Sequence, residues 1–111
     1  MLHENDHASL YDIRDAALAI GEFLQEFGHD EFVEDKKTQS AVIHQLLIIG
    51  EAVKRLSEGF RTDHPEVPWS LIARTRDILV HHYEGIDLEQ VWRIAVNDLP
   101  SLLESIANLL E

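Results

Sequence analysis

Apolar residues recur at Leu10, Ile13, Ala17, Ile20, Leu24 and Phe27, with gaps that alternate between three and four. That spacing lays one stripe along a helix. It predicts a first helix capped by Asn5 or Asp6 and ended by Gly28. A short polar piece follows, with Phe32 and Val33 as packing anchors. A second, longer helix is predicted from near Lys36 to Glu58. Ala41, Val42, Leu46, Ile49, Val53 and Leu56 form its apolar face, and Ile43, Leu47, Ile48 and Ala52 widen it. A helix apolar over that much of its girth is central, or buries a second face against another chain. Gly59 is its predicted stop.

The stretch from Arg61 to Pro68 reads as a loop, because Pro65 and Pro68 forbid a regular helix there. Pro68 is placed to begin a third helix as its first residue. That helix carries Trp69, Leu71, Ile72, Ile78 and Leu79, then two histidines, and Gly85 ends it or its extension. Asp87 caps a fourth helix, with Gln90 three residues on in capping-box position. Val91, Ile94, Ala95, Leu99, Leu102 and Ile106 supply its apolar side. Pro100 falls inside that pattern, so it either kinks the helix or, with Asp98 as cap, starts a new one. No strand pattern, internal repeat or low-complexity segment interrupts this reading. The expected fold is all-α, an antiparallel four-to-five-helix bundle in one domain spanning 1–111.

Composition narrows the function. With no cysteine there is no disulfide framework and no thiolate metal site. No segment has the order of a signal peptide or the length of a membrane span, so a cytoplasmic location is expected. The formal charge is −12, from 21 acids against 9 Lys and Arg. A broad basic surface for nucleic acid is therefore excluded. Any RNA contact must be local, or use cations supplied by a partner.

The densest chemistry lies in Arg76-Asp77-Ile78-Leu79-Val80-His81-His82-Tyr83. Arginine supplies a permanent forked cation for phosphate, histidine moves protons near neutral pH, and tyrosine carries a modifiable hydroxyl. At about 100° per residue, Leu71, Ile72, Ile78 and Leu79 share one side of the helix. Arg76, Asp77, His81 and Tyr83 fall on the other, and His82 goes with the core residues. Asp77 stands four residues before His81. It either orients that imidazole and raises its pKa, or pairs with Arg76 or Arg74 on a wet surface. Arg74 lies near His81 on the same wheel and is a second candidate phosphate ligand. One helix cannot surround a scissile phosphate, so a complete pocket calls for groups from a second chain.

Other chemistries fit less well. His81 and His82 diverge, and His44 and Glu51 are seven apart, so no chelating spacing is present and neither metal nor cofactor is expected. Phosphate-cradling glycine motifs are absent. Trp69 and Trp92 read as core rather than as a base-stacking platform.

At these residues the chain resembles the HepT-like branch of the HEPN domain proteins. The HEPN signature of Arg, four to six residues, then His is met by Arg76 and His81, and the branch's further Tyr by Tyr83. Lys37-Thr38-Gln39 with Ala41-Val42-Ile43, Ile48-Ile49-Gly50-Glu51-Ala52, Lys54-Arg55-Leu56-Ser57, Pro65-Glu66-Val67-Pro68-Trp69 and Gly85-Ile86-Asp87-Leu88 are similar to family segments, in family order. The resemblance implies an all-helical homodimer. It would act as the toxin of a type VII toxin–antitoxin pair and as a metal-independent endoribonuclease, with Arg76 and His81 of two protomers meeting in one cleft. It implies as partners an RNA substrate and a minimal nucleotidyltransferase antitoxin, MntA, which would silence the toxin by transferring AMP from ATP to Tyr83. The chain departs from the pattern at Asp77, where the family commonly has Asn. A carboxylate there adds negative charge beside the phosphate site. Two readings outside catalysis stand beside this one: a non-catalytic binding module, and a regulatory and substrate subunit of the nucleotidyltransferase.

Overall fold

A computed structural model describes residues 4–81, 85 and 87–111, with side chains at all of these except 4, 71, 76–78, 80 and 81. Among the described residues the chain is all-α, as its periodicity predicts. The helices are α1 (Glu4–Phe23), α2 (His29–Glu34), α3 (Lys36–Arg55), α4 (Glu58–Asp63), α5 (Trp69–His81), α6 (Leu88–Arg93) and α7 (Leu99–Leu110). A π-helical turn, Ile94–Asp98, joins the last two. No helix among these residues is long and apolar enough to cross a membrane.

The wide apolar face of α3 sits at the centre. Val42, Leu46, Ile49, Ala52 and Val53 are all buried on it. α1 covers one side and α5 another, while α7 closes over α1 and α2 touches both α3 and α6. The predicted stripe of α1 supplies Leu10, Ile13, Ala17 and Ile20, each at most 5% exposed. Ile43, Leu47 and Ile48, which widen the α3 face, are only half-buried against this core.

The ends of the helices differ from expectation, each for a local reason. Asn5 and Asp6 do not cap α1, which is already helical at both. Asp6 is instead fully buried and accepts hydrogen bonds from the backbone N–H and the hydroxyl of Ser57, both at 2.7 Å. α1 stops at Phe23, before Gly28. Gly28 begins α2: its N–H donates to the Glu31 carboxylate at 2.6 Å, where an added Cβ would collide. Phe32 of this short helix has no exposed surface, so it is the anchor its sequence suggests.

The second helix ends at Arg55 rather than Glu58, and Gly59 stops nothing. Ser57 caps a new helix by accepting the Phe60 N–H at 3.2 Å, and α4 runs through Gly59 to bury Phe60. The loop is therefore shorter than predicted, from His64 to Pro68. Asp87 does cap α6, accepting from the N–H groups of Glu89 and Gln90. Asp98 caps nothing: it has helical backbone angles and no side-chain cap bond. The helical path continues past Pro100 through the wider π turn, in which the Leu99 N–H reaches back five residues to the Ile94 carbonyl. That turn accommodates the missing proline N–H without ending the helix.

Asp6 joins α1 to the α3–α4 junction across 51 residues of sequence. Asp6→Ala leaves the Ser57 donors without their buried acceptor. It is expected to cost about 1–3 kcal/mol in urea unfolding, with a double-mutant cycle against Ser57→Ala showing the two effects to be coupled.

Candidate functional site

α5 carries the motif, and its position is set at both ends. Pro68 precedes it, and the Ile72 N–H donates to the Pro68 carbonyl at 3.1 Å, so the proline stands one place before the first helical residue. Trp69 is buried, packs on the Phe60 ring at 6.0 Å between centroids and donates its indole N–H to the His64 carbonyl at 2.9 Å. It is core, as the sequence suggests. Near the other end Leu79 is buried. Ile72 and Thr75 of α5 share a cavity of about 290 Å³ with Leu46 and Ile49 of α3 and Leu99 and Leu102 of α7.

Arg76, Asp77 and His81 all lie on α5. Because α5 is α-helical as far as His81, the backbone positions of Arg76 and His81 stand about 140° apart around the axis and about 7.5 Å apart along it. Asp77 and His81, four residues apart, share one stripe. The side chains of these three, and the whole of His82 and Tyr83, lie outside the described residues. Gly85 is exposed and Ile86 is undescribed, so the end of the third predicted helix also lies there. Arg74 is exposed, on the same helix two residues before Arg76. Among the described residues no group of three metal-ligating side chains forms.

A second cluster, which the periodicity does not reveal, fastens the element that follows the motif. His29 of α2 places Nδ1 at 3.3 Å from Asp30 and Nε2 at 2.6 Å from Glu89 of α6, with its ring edge-on to Trp92. Both carboxylates only accept, so both ring nitrogens must donate, and the imidazolium is the form that fits. The Asp30 hydrogen bond first, and the Glu89 bond with it, raise the His29 pKa above the ordinary 6.5. No spacing signal could have found this pair, because its members are 60 residues apart.

The family described as "Ribonuclease HepT-like" matches residues 13–109. A protein of Methanocaldococcus jannaschii named a "Putative RNase" is 46% identical over 104 residues, covering 94% of this chain and 86% of its own. A "Probable ribonuclease HepT" of Thermococcus cleftensis is 47% identical over 93 residues, 84% of each chain. A second M. jannaschii "Putative RNase" is 38% identical over 99 residues, 89% of this chain and 91% of its own. No solved structure matches the chain.

A His29 pKa raised on folding means that its stabilisation is fully present below the unfolded value and is lost as pH rises through the folded one. The melting-temperature difference between wild type and His29→Gln is therefore expected to be largest in mild acid and to shrink across neutrality. A difference constant from about pH 5 to about pH 9 contradicts the charged pair.

Proposed function

The chain belongs to the ribonuclease HepT-like family, so its activity is RNA cleavage, and we propose that it performs it as the toxin of a HepT/MntA-type pair through Arg76 and His81. One observation carries the assignment of residues: the motif's arginine and histidine share a regular helix yet sit about 140° apart on it. That separation suits contributions from two protomers to a shared cleft better than closure of one helix around a phosphate. The half-buried Ile43, Leu47 and Ile48 of α3 supply apolar surface for such a homodimer.

In this reading Arg76 holds the scissile phosphate and stabilises charge on its oxygens. His81 moves the proton, taking it from the ribose 2′-hydroxyl or giving it to the leaving 5′-oxygen. The 2′-oxygen forms a bond to phosphorus as the bond to the 5′-oxygen breaks. The products are a cyclic phosphate end and a 5′-hydroxyl end, with no metal ion in any step. Asp77 shares a helical stripe with His81 and orients its ring, while Arg74 adds phosphate affinity. Tyr83 is the site at which an MntA-like nucleotidyltransferase attaches AMP from ATP, releasing pyrophosphate. The added phosphate occupies Arg76 and closes the cleft. The protein works in the cytoplasm, where both RNA and the antitoxin are found. The charge of −12 supports a second reading, in which the chain is a non-catalytic regulatory subunit of the nucleotidyltransferase, because such a field repels free RNA.

His81→Ala is expected to lower the RNA cleavage rate by about 10²–10⁴-fold, and Arg76→Ala by about 10²–10³-fold. Undiminished cleavage by either variant rules out its role, and wild-type protein that cuts no RNA, with or without EDTA, favours the regulatory subunit. Incubation with the antitoxin and ATP is expected to add AMP mass to wild type and none to Tyr83→Phe.

A further inference from the structure

We propose that a cavity beside the first turn of α5, away from the motif, binds a phosphate of the RNA strand through Arg61; the proposal rests on the ribonuclease reading above. The cavity has a volume of about 540 Å³ and is lined by Glu58, Arg61 and Thr62 of α4 and by Trp69 and Ser70 of α5. Arg61 is half-buried, and its Nε is fully buried with no hydrogen-bond partner among the described residues. The Arg61 guanidinium makes no hydrogen bond or ion pair among the described residues, and since Nε is closed to solvent a ligand would meet its terminal nitrogens. Glu58 lines the same space one turn earlier on α4, yet no ion pair joins it to Arg61 among the described residues. The site thus holds an unsatisfied, permanently charged, forked donor with the hydroxyls of Thr62 and Ser70 beside it. Those are the groups that take a phosphate oxygen.

The route from this cavity to the motif favours a nucleic-acid strand over a free anion. Ser70 and Arg74 are exposed and four residues apart on α5, and the same register continues through Asp77 to His81. Arg74 makes no hydrogen bond or ion pair among the described residues, so it offers a second cation along that stripe. The axial rise along this stripe from Ser70 to His81 is about 16 Å, within the reach of a few nucleotides. In a chain of charge −12, Arg61 on α4 and Arg74 on α5 supply two local cations where a broad basic surface is absent. Trp69, which lines the cavity, is buried and donates its indole N–H to the His64 carbonyl.

The test is steady-state cleavage of a dinucleotide and of a longer RNA oligonucleotide by wild type, Arg61→Ala and Arg61→Lys, with folding checked by thermal melting. Arg61→Ala is expected to raise KM for the oligonucleotide about tenfold while leaving its kcat and both constants for the dinucleotide unchanged. Arg61→Lys, which keeps the charge, recovers part of the loss. The salt dependence of oligonucleotide binding is expected to weaken by about 0.7 in log–log slope, the value for one phosphate contact on a single strand. Equal losses on both substrates, or no loss on the longer one, overturn the subsite. Should Arg61→Ala fail to fold, Glu58→Gln on the exposed rim is expected to lower KM for the oligonucleotide alone, and no change there overturns it equally. Wild-type protein that cuts neither RNA defeats the ribonuclease reading and the subsite with it, whereas wild-type cleavage indifferent to Arg61 defeats the subsite alone.

Discussion

The structure depends on the need to cover α3. Its buried face spans Val42, Leu46, Ile49, Ala52 and Val53, too wide for one neighbour to hide. α1 takes one flank and α5 another, and each brings its own apolar stripe. Burial of this kind acts in proportion to area and without direction, so it brings the helices together but does not say where each one starts or stops. Directional contacts set those limits. Asp6 on Ser57 fixes the bend between α3 and α4, and that bend sets where the loop to α5 begins.

The motif inherits its position from this scaffold. Trp69 buries the start of α5 and ties it to the loop, while Leu79 buries a residue near its end. Between these anchors the helix is pinned on its α3 side, which leaves Arg74 exposed on the outside. Below the motif, α4 and the first turn of α5 border the open cavity that Arg61 lines. Beyond the motif, Asp87 starts α6, and His29 holds α6 to α2. A residue on α5 is thus framed by contacts made at both ends of the helix rather than by its immediate neighbours.

Much of this was legible in the chain itself. Leu10, Ile13, Ala17 and Ile20 announce α1 by their spacing, and all four are buried. Asp87 reads as a cap and is one. Where the reading failed, the errors lay at helix ends. Gly28 and Gly59 look like stops, since glycine often ends helices. Neither acts so, because Phe23 and Arg55 end the preceding helices earlier, and each glycine lies at the start of, or within, a short helix. Asp98 and Asn5 have the chemistry of caps but stand where the backbone is already helical.

By itself the sequence determined which faces of the long helices are apolar, and hence an all-α bundle, and it set Arg76, Asp77 and His81 within about two turns of one helix. Both follow from local periodicity, which is a property of neighbours three and four apart. Only the tertiary structure decided that Asp6 meets Ser57, that His29 meets Glu89 and that Arg61 is brought beside Ser70. The first two pairs are 51 and 60 residues apart, and Arg61 and Ser70 sit on different helices across a proline loop. Such contacts exist only once the helices have packed, and a polar side chain carries no mark in the sequence of the distant group it will meet.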